Sequence, residues 1–217
     1  MSHCLVVGAG RGLGAAIARR FAGEGFAVSL VARSRETLDA VAATLPKPAG
    51  CWTADAGDPA SLGEAVETAV AQSGPVDVLV YNAVSVTPGT PSKLGPEALI
   101  ADFRASVAGV LVAVQAVLPG MRSQGRGTIL LTGGGFALKP MAQFATIGVS
   151  KAAIRNLASS LADELAPEGI HAATVTIAGI IKEGTPFSPE RIAGQFWELH
   201  AQPRETWEVE RLYRPEV

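Results

Sequence analysis

The sequence predicts a single α/β domain built on a doubly wound parallel sheet. Short apolar runs of strand length alternate along the chain with longer helical patterns, as in repeated βαβ units. The strand candidates are continuously apolar, which is typical of strands covered on both faces. A glycine-rich turn separates the first strand from the first helix, and a length of 217 residues suits one domain.

The elements follow in a regular order, with right-handed crossovers expected between parallel strands. We expect residues 178–217 to form a cap or edge segment of the same domain (1–217), because this stretch holds four of the fourteen prolines. It contains a predicted helix at 188–199 and a predicted edge strand at 207–213. The other strands are predicted at residues 4–7, 27–31, 51–53, 76–80, 128–132 and 171–177, and the other helices at 13–23, 35–45, 59–73, 96–121 and 143–166.

Composition argues against several classes of protein. The chain is 48% hydrophobic and 18% charged, which is incompatible with disorder. A net charge of -2 and the absence of a Lys/Arg cluster predict no nucleic-acid partner. The longest charge-free stretch, residues 105–121, is shorter than the roughly 18 to 20 apolar residues of a membrane span. Since no basic leader opens the sequence, we expect a cytoplasmic protein that does not contact a membrane.

The two cysteines, Cys4 and Cys51, fall on the first and third predicted strands. In a sheet where these strands flank the second, the two residues lie about 9 to 10 Å apart, beyond disulfide reach. Their spacing matches no metal motif, and the three histidines are widely scattered. We therefore predict two buried thiols and no metal site.

The first βα turn has the composition of a phosphate-binding loop. Glycine lets the backbone approach a pyrophosphate, and the helix that follows offers free N–H groups and the positive end of its dipole. A tight turn without a ligand is the alternative, but the position between a strand and a helix favours a nucleotide site. The predicted contacts are Gly8, Gly10, Arg11, Gly12, Leu13 and Gly14.

The string V-G-A-G-R-G-L-G, from Val7 to Gly14, resembles the T-G-x-x-x-G-x-G motif of the short-chain dehydrogenase/reductase family. Gly8, Gly12 and Gly14 fall on the three glycines of the motif, and Val7 replaces its threonine. The resemblance extends over residues 2–179. It implies a Rossmann fold, a nicotinamide cofactor and an oxidoreductase activity.

The end of the second strand predicts which form of the cofactor is preferred. An NAD site needs a carboxylate there for the ribose 2′-OH, but this chain has Arg33 and Ser34. A guanidinium is suited to a 2′-phosphate, and Arg11 in the glycine turn lies on the same side. These residues favour NADP(H), with two solvated surface arginines as the alternative.

The resemblance also assigns residues after the third and fourth strands. Asp55 falls on the acidic residue that contacts the adenine amino group, and Ala56 supplies neighbouring backbone. Asn82 and Ala83 fall on the N-N-A-G motif, of which only this central pair is kept. Gly179 matches the P-G dipeptide that follows the sixth strand.

The catalytic positions depart from the family. Its Y-x-x-x-K motif falls on residues 147–151, so Ile147 replaces the proton-donating tyrosine and Lys151 is kept. The serine expected thirteen residues earlier is Gly134, and the helical asparagine is Ser106. We interpret Lys151 as the residue that holds the nicotinamide ribose hydroxyls, with a surface lysine as the alternative.

Two functions fit this pattern. The first is an NADP(H)-dependent oxidoreductase that acts on a small carbonyl or alcohol without the usual Ser/Tyr pair. The second is a catalytically inactive NADP(H)-binding sensor or partner subunit. In the family, the helix that matches the apolar stretch 107–118 packs against its twofold mate, so the resemblance also implies a homodimer or homotetramer.

Overall fold

A seven-stranded parallel sheet forms the centre of the computed structural model, which describes residues 2–216. The strand order is β3-β2-β1-β4-β5-β6-β7, and every neighbouring pair runs parallel. The predicted doubly wound architecture is thereby confirmed. The strands are β1 His3–Val7, β2 Ala27–Ala32, β3 Gly50–Thr53, β4 Val78–Tyr81, β5 Gly127–Thr132, β6 Ile170–Ile177 and β7 Glu210–Tyr213.

Seven α-helices connect these strands within the described residues, and α1 and α3 have the predicted bounds. Asp58 caps α3, accepting N–H bonds from Ala60 and Ser61 with Pro59 in the first turn, the pattern that starts a helix well. The helices are α1 Leu13–Gly23, α2 Arg35–Ala42, α3 Pro59–Ser73, α4 Pro96–Phe103, α5 Gly109–Gln124, α6 Ala145–Leu165 and α7 Pro189–His200.

The prediction of one uninterrupted helix over residues 96–121 is wrong. A π-helical turn, Arg104–Ala108, separates α4 from α5. There the Gly109 N–H donates to the carbonyl of Arg104, and the carbonyl of Ala105 accepts a hydrogen bond from Tyr81 Oη at 2.6 Å. A Cβ on Gly109 would lie 2.1 Å from Tyr81 Oη, so Tyr81 can approach only because Gly109 has no side chain. This close contact between β4 and the helix favours the π-helical turn.

Each face of the sheet carries its own core. On one face α3, α5 and α6 pack on residues such as Leu5, Leu79 and Ile129. On the other face α1 and α7 cover residues such as Leu30 and Val80. Residues in register on neighbouring strands therefore point into the same layer, which explains the continuously apolar strands.

By length and composition alone, the helical stretch Pro96–Gln124 is apolar enough to cross a membrane. Its most apolar window is 44% buried inside the domain. Val110, Val114, Val117 and Met121 form a buried stripe in the core under α3. Core packing accounts for the buried part of this apolar character, and the absence of a membrane contact stays a prediction.

The C-terminal segment forms the predicted edge of the sheet. Strand β7 pairs with β6, and Tyr213 Oη donates to the carbonyl of Pro186 at 2.7 Å. The prediction of two buried thiols is half wrong: both cysteines are free and Cys4 is fully buried, but Cys51 is only half-buried. Its strand β3 is the outermost of the sheet on that side, so one flank stays open.

Candidate functional site

A crevice of about 680 Å³ opens at the carboxyl ends of β1 to β4. The sheet order reverses between β1 and β4, and ligands of open α/β sheets bind at such a switch point. Nine of the predicted cofactor residues line it: Gly8, Gly10, Arg11, Arg33, Ser34, Asp55, Ala56, Asn82 and Ala83.

The glycine turn is shaped by close backbone contacts. Gly8 has φ +85°, and a Cβ there would lie 2.3 Å from the backbone nitrogen of Ala83. A Cβ on Gly14 would lie 2.5 Å from the carbonyl oxygen of Gly8. Gly10 and Gly12, by contrast, have nothing within 4 Å of a built Cβ among residues 2–216, so their backbone is open to a ligand. The turn therefore fits a diphosphate above the amino end of α1.

Two guanidinium groups border the crevice where β2 ends. Arg11 Nη2 lies 2.7 Å from the carboxylate of Glu36, and both side chains are exposed. Arg33 is exposed and forms no ion pair with any residue from 2 to 216. Ser34 caps α2 by accepting the N–H of Thr37 at 3.3 Å. Arg33 is thus the cation free to meet an anion, whereas Arg11 already has a carboxylate partner.

Asp55 lies at the far wall of the crevice. Its Oδ1 accepts the Gly57 N–H at 2.8 Å, which fixes the carboxylate after β3. The side chain is exposed and lines the crevice together with Ala56. A carboxylate held in this way is suited to accept a hydrogen bond from an amino group of a ligand.

Arg104 also lines the crevice, and the sequence interpretation missed it. It is exposed at the start of the π-helical turn and has no ion pair within the described part of the chain. A continuous helix over 96–121 gave no reason to single it out. The available signal was that Arg104 is the one basic residue of the predicted helix 96–121.

A hydrogen-bonded relay joins the glycine turn to Lys151. Asn82 Nδ2 donates to the carbonyl of Gly8 at 2.9 Å, and Thr132 Oγ1 donates to Asn82 Oδ1 at 3.0 Å. Lys151 Nζ donates to the carbonyl of Thr132 at 2.5 Å. Asn82 therefore braces the sheet where the cofactor crevice meets the catalytic end.

Lys151 is not a surface lysine, since only 8% of its surface is exposed. Burial lowers its pKa from 10.5 to about 8, because desolvation penalises the ammonium form. The other five predicted cofactor residues do not line the crevice itself: Gly12, Leu13, Gly14, Lys151 and Gly179. Gly179 is exposed, with the ring of Phe187 packed over it at a distance that would exclude a Cβ.

The catalytic positions next to Lys151 carry no polar side chain. A Cβ built on Gly134 would lie 3.3 Å from Cγ of Lys151, so the empty position faces the aliphatic part of the lysine. Ile147 is half-buried in the first turn of α6. Gly133 has no room for a side chain, because its Cβ would lie 2.7 Å from both Thr174 Oγ1 and Thr176 Oγ1.

Nearby hydroxyl groups already donate to protein carbonyls. Thr146 Oγ1 donates to Thr87 at 3.3 Å, Ser106 Oγ to Ser85 at 3.3 Å, and Thr185 Oγ1 to Lys182 at 2.8 Å. Since each proton has an internal acceptor, none of these groups is a ready proton donor for a substrate.

The buried carboxyl of Asp102 is not a proton donor either. Burial alone raises its pKa, but hydrogen bonds from the Ser85 hydroxyl and the Thr87 N–H outweigh burial and lower it. The group is therefore an ionised acceptor that holds the loop after β4 against α4.

The comparisons with known proteins agree with this geometry. The family model for short chain dehydrogenases matches residues 2–191. The chain is 31% identical over 212 residues to the oxidoreductase asL5 of Sarocladium schorii, covering 98% of this chain and 83% of that protein. It is 32% identical over 220 residues to dehydrogenase/reductase SDR family member 4 of Homo sapiens, covering 98% of this chain and 76% of that protein.

Solved structures share the whole fold. A metagenomic short-chain oxidoreductase in complex with NADP superposes with a TM-score of 0.90 at 27% identity, covering 100% of this chain and 98% of that one. A short-chain dehydrogenase from Rhodopseudomonas palustris gives a TM-score of 0.88 at 27% identity, covering 99% of both chains. The chain therefore belongs to the short-chain dehydrogenase family, and it has the Rossmann-type fold that the glycine turn predicted.

Proposed function

We propose that this chain binds NADP(H) and transfers hydride between it and a carbonyl or alcohol substrate. The observation that carries the proposal is the pair of guanidinium groups, Arg11 and Arg33, at a crevice whose second strand ends without a carboxylate. The NADP complex of the metagenomic relative supports the same cofactor.

Different residues of the crevice bind different parts of the cofactor. The backbone of the glycine turn and the amino end of α1 hold the diphosphate, and Arg33 holds the 2′-phosphate. The Asp55 carboxylate accepts a hydrogen bond from the adenine amino group. When bound, the cofactor supplies or accepts the hydride, and the substrate carbonyl becomes an alcohol by gaining one hydride at carbon and one proton at oxygen.

Lys151 supports this function, because its ammonium is buried next to Gly134 and donates to the carbonyl of Thr132. Its ammonium holds the ribose hydroxyls, and its lowered pKa suits proton exchange near neutral pH. Because no tyrosine occupies position 147, we expect turnover to lack the roughly two to four decades that a positioned general acid supplies.

A second function is favoured by a specific observation. Gly134 and Ile147 offer no side-chain hydrogen bond to a substrate, and the hydroxyls of Thr146 and Ser106 donate to internal carbonyls. A protein with an intact cofactor crevice and no acid can serve as an NADP(H)-binding sensor or as a partner subunit of an active relative.

NADPH fluorescence titration followed by a carbonyl panel separates the two functions. Saturable binding with slow NADPH oxidation that Lys151→Met abolishes is the result expected for the oxidoreductase. Lys47→Met is the matched control, because Lys47 is an exposed lysine beyond α2. Binding without any oxidation leaves the sensor function, and the absence of NADPH binding overturns both.

We further propose that the chain forms a cytoplasmic homodimer or homotetramer through α5 and α6. Leu111 on α5 and Val149 on α6 are exposed by 43% and 47%. Light scattering during gel filtration tests this, with a larger mass expected for the wild type than for Leu111→Glu. A monomer at micromolar concentration would contradict it.

A further inference from the structure

The loops after β4, β5 and β6 carry an unusual share of the exposed apolar side chains. Of the eleven large apolar residues that are exposed in the described chain, six lie on these loops. The exposed fractions reach 84% at Ile180 and 49% at Met141. We name this set the apolar rim; it comprises Val84, Val86, Leu138, Met141, Ile180 and Ile181.

The three loops meet beside the catalytic positions. Gly89 N–H donates to the carbonyl of Gln143 at 2.9 Å, which ties the first loop to the second. A Cβ on Gly135 would lie 3.0 Å from Cα of Ala178, so the second and third loops also touch. Val84 lines the cofactor crevice, and the rim is therefore continuous with it.

Each of the same loops carries one lysine. Lys93, Lys139 and Lys182 are exposed, and none forms an ion pair among residues 2–216. The chain has only five lysines, so three of them stand on these loops and a fourth is Lys151. The first two loops contain no carboxylate, whereas Glu183 follows Lys182 on the third, so the net positive charge beside the apolar rim comes from Lys93 and Lys139.

A cavity of about 630 Å³ lies between the first two loops and includes one of these lysines in its lining. Lys93 is the one charged residue among those that line it, beside Thr87, Thr90 and Gln143. Thr87 N–H lies 3.4 Å from Thr146 Oγ1, directly before Ile147 on α6. The cavity therefore adjoins the position where a substrate would meet the cofactor.

We propose that the substrate is an apolar carbonyl compound that carries an anionic group. Its apolar part lies against the rim, and its anionic group lies at Lys93. A neutral apolar substrate would leave the three lysines without a partner, and a small polar one would leave the rim exposed to water. This inference rests on the proposed function, because it names the substrate class of the same site.

The test is calorimetric titration of the NADP⁺-loaded protein with octanoate, octanamide and acetate. Octanoate should bind about five- to tenfold more tightly than octanamide, and acetate should bind more weakly than either. Lys93→Gln should weaken octanoate about fivefold and leave octanamide unchanged, whereas Ile180→Ser should weaken both. Lys47→Gln and Leu212→Ser are the matched controls, since both residues are exposed outside the three loops.

Several results overturn the inference. Equal affinity for octanoate and octanamide would show that the substrate needs no anionic group. An equal effect of Leu212→Ser and Ile180→Ser would show that the apolar rim does not bind the substrate. If the variants instead reduce sedimentation with phosphatidylglycerol vesicles and leave octanoate binding intact, the rim docks on lipid. NADPH titration of the same samples keeps the two levels apart: bound NADPH without octanoate binding defeats only the substrate class, whereas absent NADPH binding defeats the proposed function.

Discussion

Where β1 to β4 end, nine predicted residues line one crevice, but where β5 ends and α6 begins, the positions for a serine and a tyrosine are Gly134 and Ile147. The two regions are neighbours in one sheet and are joined by the hydrogen bonds from Gly8 to Lys151. They differ in what their residues do for the fold.

The crevice residues are also structural. Gly8 and Ala83 touch through their backbones, and Asn82 holds the carbonyl of Gly8, so substitutions there disturb the packing of β1 on β4. Gly134 and Ile147, by contrast, contribute no side-chain hydrogen bond to the fold. Lys151 is the exception at that end, because its buried ammonium satisfies the carbonyl of Thr132. Binding geometry is therefore tied to stability here, whereas catalytic polarity is not.

The first prediction introduces the two catalytic side chains, serine and tyrosine, that the family has at positions 134 and 147. Gly134→Ser with Ile147→Tyr should raise NADPH-dependent carbonyl reduction by about 10² to 10⁴. The serine fits with a small shift of Lys151, whose Cγ lies 3.3 Å from the built Cβ, and Gly134 has an extended backbone with φ -169° that any residue adopts. Steady-state kinetics on a carbonyl panel measures the gain.

The matched control is Gly134→Ala with Ile147→Phe, which adds nearly the same volume without either hydroxyl. We expect no gain from that variant. Equal rates for the wild type and the restored variant would show that another group already donates the proton.

The second prediction concerns Arg33, the crevice cation at the end of β2 that forms no ion pair among residues 2–216. Arg33→Ala should weaken NADPH binding by about 10- to 50-fold and leave NADH affinity nearly unchanged, because only the 2′-phosphate meets the guanidinium. Arg11→Ala should cost less, since Glu36 already occupies that guanidinium at 2.7 Å. Fluorescence titration with both cofactors measures this, and an unchanged NADPH affinity in Arg33→Ala would remove the assignment of the phosphate site.

Most of the fold was predictable because two-sided burial leaves a strong pattern. Strand β5 and helices α1 and α3 lie within a residue of their predicted bounds. The break between α4 and α5 was not, because it arises from Tyr81 Oη reaching a carbonyl 24 residues away in sequence. A long-range contact of that kind has no local signature.

The sequence predicted the parts of the site that depend on the backbone. It did not predict the parts that depend on the direction of a side chain. The glycine turn and Asn82 follow from position after a strand, and the family resemblance assigned Asp55. Arg104 entered the crevice only through the π-helical turn, and the pairing of Arg11 with Glu36 depends on how α2 packs against the turn. The relay through Thr132 needed coordinates as well.

The third prediction uses Arg104 to sharpen the outline of the crevice. Arg104 lines the crevice together with its neighbours Ala101 and Ala105. Arg104→Ala should weaken NADPH and NADH alike, by about two- to fivefold, because contact with the adenosine half does not depend on the 2′-phosphate. Arg104→Lys separates charge from stacking, and an effect confined to NADPH would place Arg104 at the phosphate instead.

The smallest expected effect is a pH dependence of stability. It arises at the amino ends of the strands, where no ligand site is proposed. His3 and His171 are buried and His200 is half-buried, and each has a pKa below the ordinary 6.5, chiefly because burial disfavours the charged ring. The unfolded chain therefore binds more protons than the folded one as pH falls below about 6.5, so stability is full above that pH and declines below it.

The melting temperature should consequently fall by about 5 °C between pH 7 and pH 5.5, measured by differential scanning fluorimetry at fixed ionic strength. His171→Gln with His200→Asn should flatten this slope, because Gln can place a polar nitrogen near Nε2, 2.8 Å from the Glu208 carbonyl, and Asn near Nδ1, 2.9 Å from Thr128 Oγ1. A slope of equal steepness in the double variant would assign the acid sensitivity elsewhere. NADPH affinity at pH 7 should be the same in both proteins, since these side chains lie at the amino ends of the strands and the crevice lies at the carboxyl ends.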